Sequence, residues 1–103
     1  MAKKKAVKKV AVRKTRDVFE VGKCYLVRAV TNYTLGKLVR VTQNELVFVR
    51  ASWIGSTGRF SECVNTGSLD EVEPYPADMP VIVSRGAIVD ACEWRHALPE
   101  ATK

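Results

Sequence analysis

Hydrophobic positions are scattered up to residue 16 and dense from Asp17 onward, where they fall into short runs of the kind that build strands. "CYLVRAV" (24–30), "LGKLVRVT" (35–42) and "ELVFVRA" (45–51) are rich in Val and Leu. They are joined by "TNYT" and by Gln43-Asn44, short polar links that supply turn residues. Three such runs predict an antiparallel meander. Gly36 stands inside the second, where glycine marks a bend or a close approach of backbone. "SWIGSTGRFSECVNTGSLDE" breaks the rhythm. Phe60, Cys63 and Val64 stand at i, i+3 and i+4, which predicts one or two helical turns. Thr57 or Ser56 would cap that helix and Gly67 would end it. "SLDEVEPYP" predicts a short strand stopped by Pro74 and Pro76, while "MPVIVS", the turn "RG" and "AIVDACEW" read as a closing hairpin. The pattern predicts a mainly β fold: a small antiparallel β-barrel or sandwich of five to six strands, with one short helical turn and an extended basic N-terminal arm. A barrel would also remove exposed strand edges.

Charge divides the chain at the same place. Of its 17 Lys and Arg, eight lie in the first 16 residues: Lys3, Lys4, Lys5, Lys8, Lys9, Arg13, Lys14 and Arg16. No acid accompanies them. The other nine cations face all 11 acids, so the formal +6 comes wholly from the arm and the body carries −2. A domain that reads nucleic acid is expected to hold its cations on the folded surface; this one tethers them. Three regions follow: a basic arm (1–16), a small β-domain (17–98) and a C-terminal tail (99–103). The arm lacks aromatics for base stacking, so any contact with phosphate would be independent of base sequence.

No apolar run approaches the roughly 20 residues that span a bilayer, and no membrane partner is expected. The basic start is not followed by the apolar stretch of a secretory leader, so synthesis in a cytoplasm is expected. Cys24, Cys63 and Cys92 are odd in number and widely spaced, which predicts reduced thiols that pack as small hydrophobes.

Candidate chemistry is sparse. Only Cys92 and His96 have a ligand-like spacing, too few for a structural zinc site, and no metal or cofactor is expected. His96 is the sole histidine and has no orienting group in sequence, so no catalytic residue is assigned and no enzyme is expected. The loop "WIGSTGR" offers one ligand-binding reading: Trp53 to stack a base, backbone N–H groups around Ser56 and Thr57 to cradle an anion, and Arg59 to meet a phosphate. It lacks the Lys-Ser/Thr ending of a P-loop. The simpler reading is that Gly55 and Gly58 shape a strand-to-helix turn while Trp53 and Phe60 pack into the core. Tyr75 and Trp94 join these two as candidate apolar anchors.

"YLVRAVTNYTLGKLVRVTQNELVFVRA" resembles the first strands of Sm-like and SH3-like small barrels, in which a Gly-x-Leu-Val-x-Val strand recurs. "ASWIGSTGRFSECVNTGSLDEVEPYP" followed by "PVIVSRGAIVDACEWRHALP" resembles small proteins encoded by tailed bacteriophages and prophages, over about residues 24–98. That resemblance implies a phage context and a β-rich fold; with the acidic body and the cationic arm, the expected protein is a non-enzymatic structural one, a minor or accessory component of the virion head, made in the bacterial host cytoplasm. Its implied partners are larger shell subunits, packaged DNA contacted without sequence readout, and further copies of itself. Two other classes stay open: a small-barrel nucleic-acid-binding protein, and a phage protein that sequesters a nucleotide using the Trp53 loop and Arg85.

Overall fold

The computed structural model describes residues 17–103, and the eight cations of the arm lie outside them. β1 (Cys24–Arg28), β2 (Tyr33–Val41) and β3 (Glu45–Ser56) form the expected meander. There follow α1 (Phe60–Thr66), β4 (Glu71–Pro74), β5 (Val81–Ser84), a 3-10 turn (Arg85–Ala87) and β6 (Asp90–Glu93). The six strands make one antiparallel sheet in the order β4-β3-β2-β1-β6, with β5 also paired to β3. Among the described residues the fold is mainly β with one short helix.

The closing hairpin is not formed. β5 pairs with Glu45–Phe48 of β3, whereas β6 pairs with Tyr25–Arg28 of β1. The 3-10 turn between them separates the two strands. Arg85 N–H donates to the Asn44 carbonyl (2.9 Å) and Val89 N–H to the Arg28 carbonyl (2.7 Å), which directs each strand to a different neighbour. β3 is also longer than its Val-rich run, because its partners change along it: β5 at 45–48, then β4 at 52–56. Between these stretches Arg50 adopts φ +50°, an uncommon conformation for a side-chain-bearing residue, and donates its N–H to Ala77 (2.8 Å). This pivot lets one strand serve two neighbours on the same edge.

Apolar side chains bury on both faces of the sheet. Leu26, Leu35, Ile54, Cys63, Leu69, Val72, Trp94 and Leu98 form one core; Tyr25, Val27, Leu38, Leu46, Phe48 and Ala51 form the other. β1 contributes to both, which explains its unbroken apolar run. α1 closes the first core with Cys63 and ends at Gly67, whose φ of +83° allows its N–H to reach the Cys63 carbonyl. Its N-cap is Arg59, with no side-chain cap; the expected cap from Ser56 or Thr57 is not made, because Ser56 ends β3 and the turn at Gly58 leaves both residues short of the helix start. The C-terminal residue, Lys103, exchanges both backbone hydrogen bonds with Val72, each 2.9 Å, and so lies along the outer edge of β4.

The arm's exit is anchored. Asp17 accepts two hydrogen bonds from the Arg85 guanidinium (2.7 and 3.1 Å), and Arg85 also donates to the Thr42 carbonyl (3.1 Å). Phe19 lies under the Arg85 guanidinium, 5.4 Å from it, and edge-on to Tyr25. Arg85 first, and then the Phe19 N–H, hold the Asp17 carboxyl below its ordinary value of 3.8. A carboxyl lowered in the folded state stabilises above its unfolded pKa, and that contribution is lost as pH falls through the folded value. The pair is about a third exposed, so the contribution is screened and small, about 1 kcal/mol or less. Asp17→Asn should therefore reduce stability in urea near neutral pH, and the difference from the unaltered chain should shrink as the pH falls below the ordinary carboxyl value and vanish once the folded-state carboxyl is itself protonated.

A candidate binding face around Trp53

The loop singled out in sequence lies where β3 ends. β-Alternation turns Ser52 and Ile54 to the first core, and both are fully buried. Trp53 and Gly55 point to the opposite face, beyond the side chains of the second core. Trp53 is 40 % exposed, between Thr34 of β2 and Glu73 of β4. Phe60 is 50 % exposed. The expectation that both pack into the core is thus corrected: Ile54 and Cys63 occupy those inward positions, and an alternating strand cannot bury Ile54 and Trp53 on the same side. Of the two tryptophans Trp94 is the core residue, 4 % exposed, with its indole N–H donated to the Ala97 carbonyl (3.2 Å).

The polar groups of the loop are turned toward their own backbone. The Ser56 hydroxyl accepts from Gly58 N–H (3.2 Å), and Thr57, only 8 % exposed, donates its hydroxyl to the Gly58 carbonyl (2.9 Å). Gly58 turns the chain at φ +68°. The Asp70 carboxylate rests against it, 2.8–2.9 Å from where a Cβ would stand. At Gly55 a Cβ would fall 2.8 Å from Glu71 Oε1 and 2.9 Å from Cζ3 of Trp53. The missing side chain therefore lets the Glu71 carboxylate and the Trp53 ring close together over the β3 backbone. A phosphate entering here would meet two carboxylates. Arg59 is exposed at the helix start, and Arg85 is engaged with Asp17 at the arm's exit. The Trp53 ring lies with Glu71 at Gly55, while Ser56 and Thr57 bond to Gly58 beside Asp70, so the groups around the loop suit a cation.

Glu71 and Glu73 are the site residues that sequence reasoning missed. The available signal was the sign of charge: from Phe60 to Ser84 the chain has Glu62, Asp70, Glu71, Glu73 and Asp78, and no Lys or Arg. None of these five forms an ion pair among the described residues, whereas Asp17, Glu20, Asp90, Glu93 and Glu100 do. The pairing of β4 with β3 then sets two of them beside an exposed aromatic.

The opposite face holds a smaller apolar feature. Phe60 stacks on Tyr33 with ring centroids 6.5 Å apart, over a cavity of about 250 Å³ that Leu26 and Cys92 also line. A cleft of about 640 Å³ opens near the Arg50 pivot between Tyr75, Pro76 and Glu100. Tyr75 itself is partly buried against the second core.

The three thiols are free, and burial pushes each of them up from the ordinary value of 9.0, which disfavours the reactive thiolate. His96 Nε2 lies 2.7 Å from the Val64 carbonyl, so that nitrogen carries the proton and ties the C-terminal segment to α1. Among the described residues, no group of three or more His, Cys, Asp or Glu is placed to hold a metal ion. No helix among them is long and apolar enough to cross a membrane. Comparisons of the chain with protein families, with curated proteins and with solved structures found no match.

Proposed function

We propose that this protein is a non-enzymatic structural component of a bacteriophage particle, a minor or accessory part of the virion head. Its β-domain docks on neighbouring protein, and its basic arm anchors it there. The observation that carries this reading is the division of labour along the chain. Eight cations sit in the arm, while a mildly acidic β-body exposes Trp53, Phe60 and Ile82 on its surface. Exposed aromatics on a small rigid sheet are the raw material of protein interfaces. The likeness of residues 24–98 to tailed-phage proteins supplies the particle context. The link from β5 through a 3-10 turn to β6, which returns to pair with β1, supports the small-barrel side of that likeness. The acidic surroundings of the Trp53 loop count against the nucleotide-sequestering reading.

Mass spectrometry of gradient-purified particles, washed in high salt, tests the proposal. The protein should persist in a fixed ratio to the major shell subunit. Its presence in the infected-cell lysate but not in washed particles would refute a virion role.

A further inference from the structure

Trp53 is 40 % exposed on a part of the sheet that no other described element covers, and charge says what suits it. On β4, Glu73 is directly across from Trp53, and Glu71 closes over Gly55 against the same ring. An indole face beside two carboxylates attracts cations by ring electrostatics and by charge-assisted hydrogen bonds. The densest cationic segment available is the chain's own arm, in which Lys3 to Arg16 alternate with Ala and Val and include no acid.

Where the arm leaves the body limits how many of its eight cations can reach this face on the same copy. Asp17 is held by Arg85 next to Thr42, at the turn that begins β3. Trp53 stands eight residues further along β3 from Glu45. At about 3.3 Å per residue that is on the order of 25 Å of strand. An arm folding back on its own body would spend about half its residues covering that length. Arg13, Lys14 and Arg16, nearest the exit, would then fall short of the carboxylates. The arm of another copy meets no such limit.

We infer that Trp53, Glu71 and Glu73 form a receiving face for the basic arm, residues 3–16, of a second copy of this chain. Exit and receiver sit at opposite ends of β3. Arms exchanged reciprocally make a dimer, and arms passed on in one direction close into a ring or continue as a filament. This goes beyond the particle proposal, and its test needs only isolated protein, so either can fail alone.

The experiment uses the full chain. Equal amounts of unlabelled and ¹⁵N-labelled protein are mixed and coupled with a zero-length carbodiimide, which joins Lys amines to carboxylates. Mixed-isotope peptides linking arm lysines to Glu71 or Glu73 are the expected result. In sedimentation velocity, self-association should weaken as salt rises from about 0.05 M to about 0.5 M, because the contacts are exposed and screened. Glu71→Gln with Glu73→Gln should weaken it about tenfold, as for two exposed ion pairs, without changing the melting temperature. Cross-links confined to one isotope, cross-links from the arm to other carboxylates, a chain monomeric at low salt, or undiminished association of the double variant would each overturn the inference.

Discussion

Trp94→Ala is expected to destabilise the protein by about 3–5 kcal/mol, the range for truncating a buried aromatic. Trp94 lies among Leu26, Leu35, Ile54, Cys63, Leu69, Val72 and Leu98, and its indole N–H is satisfied by Ala97. Removing the ring opens a cavity that β-sheet on one side and α1 on the other cannot collapse to fill. It also frees His96, whose imidazole packs edge-on to the indole at 5.0 Å while holding the Val64 carbonyl of α1. For a domain of this size, each kcal/mol lowers the melting temperature by about 4–8 °C, so the transition should fall by well over ten degrees or disappear. Trp53→Ala is the internal comparison. At 40 % exposure, with no other described element over it, it should cost less, about 1–2 kcal/mol, while removing the proposed receiving surface. Thermal melts of the two variants side by side check the assignment. Equal losses, or the larger loss at Trp53, would reverse the roles given to the two residues.

Gly36→Ala is expected to cost about 1–3 kcal/mol, although it adds one methyl group. A Cβ at Gly36 would stand 3.0 Å from the Ala51 Cβ, 3.1 Å from the Ala51 Cα and 3.1 Å from the Phe48 Cβ. These atoms are backbone or fixed to it, so no flexible side-chain end can move aside. The close approach arises because β2 slips register between Leu35 and Lys37 as it passes the bend in β3. Relief would require separating β2 from β3 at the middle of the sheet. Urea denaturation measures the effect, and Gly86→Ala, where an added Cβ meets nothing closer than 3.9 Å, is the control. If both substitutions proved equally mild, the tight crossing of β2 and β3 at Gly36 would be wrong.

Several features were legible in the residues because their causes are local. Val-rich runs joined by short polar links led to the meander of β1, β2 and β3. Phe60, Cys63 and Val64 led to a helix that ends at the left-handed Gly67 as expected, although only Cys63 of the three turns inward. Gly36 led to a close approach. The Trp53 loop was found, but its sense was inverted. Its hydroxyls and glycines read as an anion cradle until Asp70 and Glu71, 12 to 18 residues downstream of Trp53 to Gly58, were brought against it. The β5–β6 hairpin failed for a related reason. Two adjacent apolar runs with a turn between them look alike whether they pair with each other or with earlier strands.

The sequence by itself determined the β character, the helix that begins at Phe60, the glycine at which β2 closely approaches β3 and the separation of a cationic arm from an acidic body. Each depends on periodicity, turn chemistry or charge read within a few residues. Tertiary structure alone decided that β5 joins β3 while β6 joins β1, that Trp94 is core and Trp53 is surface, and that Glu71 and Glu73 flank Trp53. These are outcomes of pairing between distant segments. A strand's alternation specifies two faces but not which one is covered, and only the completed sheet settles that.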